Sequence, residues 1–503
     1  MYAALFLVFF LPQVHSIEGF RNAYIHFDLK GAPPRPLYFK QMLSMISNLG
    51  ATGVLIEWED MFPYKGELSR ILNGNAYSES EVYDILQHAQ SQGLDVIPLV
   101  QTLGHLEWIL KTEEYADLRE DADFPMVACI GDQRASDLIL EAVNQITYMH
   151  AQFSTKYVHI GADEAFQIGT CDADKRIVPV KYDNNTLGLV FDHLQNVAYN
   201  ITRGYPGVKV LMWFDEFKSA PIELIKQYNL HELVAPVVWK YTANLEKDLP
   251  TEMWKNLSYS FREVWGASAF KGADGANRYW NRMKPYIVNN KEWFIQKETH
   301  SYLFEEFNSV LITGWQRYDH FASLAELFPT SITSLALNLV VAHRFHVSEE
   351  DAEEIGRILN CPLSTTLDDF LNGNDKCRFP GYQVRDAIRS FVQLKAFFDN
   401  STWVHNRENG WLQPSQMFLS ASNPYYVDAV KHSYVRTLKK LDIIIQNLRT
   451  SMNIIFYPDV VEEFITDYVQ PFYDDLQRRA ASVRLIDSRR SYRPRPWFAV
   501  SSS

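Results

Sequence analysis

Eight short β-rich runs, each followed by a helical pattern, fill residues 22 to 345 and constrain the fold of this 503-residue chain more than any other feature. The runs are Ala23–Leu29, Gly53–Glu57, Leu94–Val100, Tyr157–Gly161, Lys209–Phe214, Val234–Trp239, Arg262–Ala267 and Val310–Trp315. Several are continuous apolar stretches, such as Val96-Ile97-Pro98-Leu99-Val100, as expected of strands covered on both faces. Between them, Ser78-x-x-Glu81 forms a capping box ahead of Val82, Ile85, Leu86 and Ala89 at helical spacing. Phe39, Met42, Leu43 and Ile46 make a second apolar stripe behind Pro36. Eight β–α alternations predict an α/β fold, a (β/α)8 TIM barrel. A doubly wound open sheet is the alternative, disfavoured by the lack of a Gly-x-Gly-x-x-Gly turn.

The character changes after residue 345. Asn372-Gly373-Asn374-Asp375 reads as a loop, and long apolar stripes follow: Val384, Ile388 and Phe391, then Val427, Val430, Tyr434, Leu438, Leu441, Ile445 and Leu448. Residues 346–485 are therefore expected to form a helical C-terminal region. Its apolar faces would suit either packing on the barrel or a homodimer. Residues Arg478 to Arg495 hold seven Arg and one acidic residue, so 486–503 reads as a flexible basic tail.

Residues 1–16 form an apolar run ending in small residues, which resembles a secretory signal although no Lys or Arg precedes it. No other stretch has the ~18 apolar residues needed to span a bilayer, so no membrane span is expected. Asn184, Asn200, Asn256 and Asn400 begin Asn-x-Ser/Thr sequons. The four cysteines have no metal-ligand spacing; Cys361 with Cys377 and Cys129 with Cys171 would make two disulfides, and four free thiols is the other reading. A secreted or lysosomal glycoprotein follows, or a nucleocytoplasmic protein if the apolar run is not a signal. The net charge of −13 leaves no cationic excess for phosphates, which argues against a nucleic-acid partner.

In a barrel of this kind the chemistry lies where strands end at their C-termini. The fourth run ends His159-Ile160-Gly161-Ala162-Asp163-Glu164, and two adjacent carboxylates there can divide proton donation and charge stabilisation between them. Alone, the pair could equally be a turn with Asp163 capping a helix. The other ends supply Asp28, the Glu57-Trp58-Glu59-Asp60 segment, His105, Trp213 with Asp215, Trp239 with Tyr241, Trp265, and Trp315 followed by Arg317, Tyr318, Asp319 and His320. Trp recurs at four successive strand ends, where small and branched residues would fill a barrel core. Indole faces with carboxylates between them fit a sugar ring, so the expected partner is a glycan. No His-x-x-x-His or comparable spacing points to a metal.

His159-Ile-Gly-Ala-Asp-Glu164 resembles the His-x-Gly-x-Asp-Glu motif of the family-20 glycoside hydrolases, the β-N-acetylhexosaminidases. Tyr77–Val82, Gly93–Pro98 and Thr102-Leu-Gly-His105 are similar to segments of that family in the same order, as are Trp239-Lys240 and Trp315. Three phrases, His26–Pro34, Glu57–Tyr64 and Thr313–His320, resemble one branch of the family, whose members tend toward N-acetylgalactosamine and are often nuclear or cytosolic.

The resemblance covers residues 22 to 345 and implies an exo-acting, retaining enzyme that needs no cofactor. It implies that Glu164 is the general acid and later the base. Asp163 would orient the substrate's 2-acetamido group as its oxygen attacks C1, the substrate-assisted exception to the two-carboxylate scheme. His105 and Asp60 would support the acid. Asp28, Trp213, Trp239, Tyr241, Trp265, Trp315, Tyr318 and Asp319 would bind the sugar. Two departures stand out: Arg317 occupies the place of a family Glu that holds sugar hydroxyls, and no Tyr near Trp265 matches the one that bonds the acetamido oxygen. The alternatives are a barrel that binds carbohydrate without catalysis, and a hydrolase of longer chitin-like or disaccharide-containing chains.

Overall fold

Burial on both faces is what closes the sheet. A computed structural model describes residues 18–487 and, beyond them, Ser491, Tyr492, Pro494, Arg495 and Phe498. The eight runs become parallel strands β1 (Asn22–Asp28), β2 (Gly53–Glu57), β3 (Asp95–Leu99), β4 (Tyr157–His159), β5 (Lys209–Trp213), β6 (Val234–Trp239), β7 (Trp265–Lys271) and β8 (Ser309–Gly314). Each pairs with the next, and β8 closes on β1. The register sets Asp28 beside Glu57, so two carboxylates meet at adjacent C-terminal ends. The seam between β3 and β4 is short, with Leu99 opposite His159.

Inside the barrel the layers differ. Tyr24, Tyr157 and Trp265 pack together at the N-terminal end, with ring centroids 5.0 and 5.2 Å apart. Leu55, Ile97, Leu211, Ala267 and Leu311 belong to the same buried cluster. Toward the C-terminal end the filling turns polar: His26, Glu57, Gln101 and His159 are buried, and Lys30 just beyond β1 joins them. His26 Nε2 lies 3.1 Å from Glu57 Oε2, and Lys30 Nζ donates to Glu57 Oε1 at 2.9 Å. This paired layer is the foundation of the site above it.

β7 corrects the sequence reading. It runs from Trp265 to Lys271 instead of ending near Ala267, so Trp265 sits at the bottom of the barrel, its Nε1 donating to Glu263 at 2.8 Å. Four residues of misplacement is about 13 Å along a strand, enough to move a side chain from one mouth to the other.

Helices Tyr382–Asp399, Pro424–Ile455, Pro458–Phe464 and Gln470–Asp487 form most of the C-terminal region. It is fastened to the barrel at Arg35, whose backbone N–H donates to Ile455 O (2.7 Å) and whose Nε donates to Phe456 O (3.0 Å). Cys129 is joined to Cys171 and Cys361 to Cys377, with no free cysteine among the described residues. No described helix is long and apolar enough to cross a membrane. The expected signal, residues 1–16, and most of the basic tail lie outside the described residues.

Candidate active site

The loop after β4 is built from unusual backbone. Gly161, Ala162 and Glu164 have φ of +65°, +69° and +49°, and for the two non-glycine residues that conformation costs about 1–2 kcal/mol each. The neighbouring β3 loop approaches so closely that a Cβ on Gly161 would lie 1.9 Å from Gln101 Oε1, and one on Gly104 1.9 Å from the Asp163 carbonyl oxygen. Thr102 Oγ1 donates to Ile160 O at 2.7 Å, locking the two loops. His105, itself at φ +52°, is thereby turned onto the carboxylate pair: its Nε2 lies 3.2 Å from Glu164 Oε2 and 3.7 Å from Asp163 Oδ2.

Burial distinguishes the two acids. Asp163 is 6% exposed, whereas the Glu164 side chain is 39% exposed and faces the cavity mouth. Burial raises the Asp163 carboxyl above its ordinary value against the pull of His105, and its Oδ1 has no hydrogen-bond partner. The hydrogen bond from His105 holds Glu164 below its ordinary value. Burial opposes a charge on His105, yet Asp163, the nearby Glu107 and the bond to Glu164 keep it well above the ordinary imidazole value. The imidazole thus faces three carboxylates, Asp163 and Glu164 at Nε2 and the buried Glu107 3.7 Å from its Nδ1.

Aromatic rings wall the cavity, whose volume is about 170 Å³. Trp213, Trp239, Tyr241, Trp315 and Tyr318 line it beside His105, Asp163 and Glu164, with Lys30, Arg317 and the Gly272–Ala273 turn completing the rim. Trp213 and Trp315 lie 6.1 Å apart, and Trp239 stacks on Tyr241 at 5.5 Å. Polar tips fix the rings: Trp315 Nε1 donates to Tyr241 Oη (3.1 Å) and Trp239 Nε1 to Asp215 Oδ2 (2.7 Å). Burial and the nearness of Asp163 push Asp215 up to about 7.

Four expected site residues lie elsewhere. Trp265 is at the far end of the barrel. Asp28 stands one layer behind the wall, accepting from Gln316 N (2.7 Å) and from Lys30 (3.3 Å from Nζ). Asp60 is buried in an ion pair with Lys111 (2.7 Å) beside His320, and Glu107, not Asp60, backs His105. Asp319 caps its own turn, accepting from Phe321 N and Ala322 N at 2.7 and 2.9 Å. Sequence reasoning in turn missed Glu107 and the Gly272–Ala273 turn, and it placed Lys30 and Asp215 at strand ends without giving either a role. Asp215 lies two residues beyond the Trp that ends β5. The one described group dense enough in potential metal ligands, Glu120, Cys129, Cys171 and Asp174, has its two sulfurs joined in a disulfide and so offers no thiolate.

Carboxyl groups beside an indole-walled cavity, on the C-terminal face of a parallel barrel, make the arrangement that glycoside hydrolysis requires, and they mark the chain as a glycoside hydrolase. The chain belongs to glycosyl hydrolase family 20. The family model described as "Glycosyl hydrolase family 20, catalytic domain" matches residues 64–247. Hexosaminidase D of Homo sapiens is 31% identical over 462 residues, covering 91% of this chain and 93% of that protein. Hexosaminidase D of Bos taurus is 36% identical over 318 residues, covering 63% and 90%. The crystal structure of a beta-N-acetylhexosaminidase shares the fold at a TM-score of 0.50 and 11% identity, over 69% of this chain and 79% of that one.

Proposed function

We propose that the chain is an exo-acting, retaining β-N-acetylhexosaminidase that releases terminal β-linked N-acetylgalactosamine, and N-acetylglucosamine, by substrate-assisted catalysis. The observation that carries this reading is the partnerless Asp163 Oδ1, buried beside Glu164 at the cavity. A carboxylate oxygen in that position can accept the substrate's amide N–H, orienting the acetamido carbonyl toward C1. Glu164 then gives its proton to the glycosidic oxygen as the C1–O bond breaks, and the acetamido oxygen forms the new bond to C1. The resulting oxazolinium cation is stabilised by the Asp163 carboxylate beneath it. Glu164, now ionised, takes a proton from water as the water oxygen attacks C1 and the bond from C1 to the acetamido oxygen breaks, restoring the acetamide; two inversions leave the anomeric configuration unchanged. The 170 Å³ cavity supports removal of one terminal sugar in preference to a groove for a chain.

The test is hydrolysis of aryl β-glycosides of N-acetylgalactosamine, N-acetylglucosamine and plain glucose across roughly pH 4 to 8. Cleavage of the acetamido sugars alone supports substrate assistance and ranks the two configurations. Equal cleavage of the glucoside rules it out. Binding of the sugars without turnover would return the carbohydrate-binding alternative. The same reading puts the enzyme in the secretory pathway or lysosome, supported by the N-terminal apolar run, the sequons at Asn184, Asn200, Asn256 and Asn400, and two disulfides.

A further inference from the structure

Arg317 is the pocket residue whose side chain leaves the barrel. Its guanidinium, 8% exposed, donates from Nε to Lys30 O (2.9 Å) and from Nη1 to Ala322 O (2.9 Å), while Nη1 and Nη2 grip both oxygens of Glu463, the second at 2.6 Å. Glu463 belongs to the C-terminal helix Pro458–Phe464. A π-helical turn, Ile465–Val469, follows at once, and such turns rotate the residues beyond them relative to a regular helix. Here the turn carries Tyr468, whose hydroxyl donates to Leu324 O at 2.5 Å. The loop after β8 is thus held from outside at two points. The chain between those points and β8 carries Trp315 and Tyr318, both of which line the cavity.

We propose that Glu463 is a positioning residue: through Arg317 it sets the wall formed by Trp315 and Tyr318, so the C-terminal region is part of the sugar-binding site. Paired and bidentate, the guanidinium is fixed in plane and its charge is neutralised next to Lys30. Unpaired, it would remain a mostly buried charge held only by the carbonyls of Lys30 and Ala322, beside the cavity it lines. The kinetic arm rests on the proposed hydrolase activity; the spectroscopic arm does not.

The experiment compares Glu463→Ala, Glu463→Gln and Glu463→Asp in the full chain, with Glu462→Gln as the control. Glu462 pairs with Arg449 within the C-terminal region, at 2.7 Å, and reaches no pocket residue. Glu463→Ala is expected to raise KM for an aryl N-acetylhexosaminide about tenfold with kcat within about threefold, the split that marks lost binding. Acrylamide should quench its tryptophan fluorescence more readily than that of wild type. Glu463→Asp should recover most of both effects, and Glu462→Gln should match wild type. If Glu463→Ala does not fold, Glu463→Gln, which keeps the shape and loses the charge, carries the same expectation. Wild-type KM and wild-type quenching in the Glu463 variants overturn the proposal. A wild-type enzyme that cleaves no acetamido glycoside sinks the proposed function, and quenching alone then decides the role of Glu463.

Discussion

His105 Nε2 stands 3.2 Å from Glu164 Oε2, and that bond holds the exposed acid of the pair below its ordinary value. Activity that needs Glu164 protonated must fall as pH rises through its pKa. Removing the imidazole lets that pKa rise, so in His105→Ala the alkaline limb of kcat/KM should move to higher pH while the maximum drops by about tenfold or more. A pH–rate profile measures both. An alkaline limb that stays in place would mean that another group delivers the proton.

Glu164→Gln should lower turnover of glycosides with poor leaving groups by about 10²–10⁴, the usual worth of general acid catalysis, and spare activated aryl glycosides. Asp163→Asn should slow both kinds alike, because it acts on the acetamido group rather than on the departing oxygen. A leaving-group series for the two variants separates these roles. Parallel slopes for both would contradict the assignment.

Gly104 can be tested by size alone. A methyl there meets the Asp163 carbonyl, whereas one on Gly74 meets nothing within 4 Å. Gly104→Ala should therefore displace the acid pair and cost about 10² in kcat/KM, with Gly74→Ala unchanged. Equal rates in the two variants would show that the loop gives way at no cost.

Stability should depend on pH through Glu120, pushed up to about 7, chiefly by burial, with Asp174 nearby. The folded state binds this proton more tightly than the unfolded chain, so the stabilisation is complete below about pH 4.5 and is lost as pH rises through about 7. His105, also raised, acts in the same direction. Glu120→Gln removes this acid-favouring contribution, so it should lower the melting temperature at pH 5 relative to that at pH 8 and shift the gap between them from its wild-type value. A gap that the substitution leaves untouched would remove Glu120 from the account.

The barrel was legible because strands buried on both faces write themselves as unbroken apolar runs, and eight of them leave little choice of topology. β7 was the exception: Trp265-Gly-Ala-Ser-Ala-Phe-Lys is dominated by small residues, and the run before it, Phe261-Arg-Glu-Val, looks more strand-like than the strand itself. That slip alone misplaced Trp265. Asp163 and Glu164 were legible as neighbours in sequence at a strand end. The contacts of Asp28 with Gln316, of Asp60 with Lys111 and of Glu463 with Arg317 were not, since each depends on a partner far off in sequence that only the tertiary fold brings near. Arg317 and Glu463 are 146 residues apart, and no local pattern announces such a contact.

The Cys129–Cys171 bridge bounds the span that begins at β4 and carries both acids. With β4 fixed in the sheet at one end and a covalent tie at the other, that side of the cavity is a stiff jaw with little room to swing. Reducing the bridge would release the far end of that span and let both carboxylates drift away from His105.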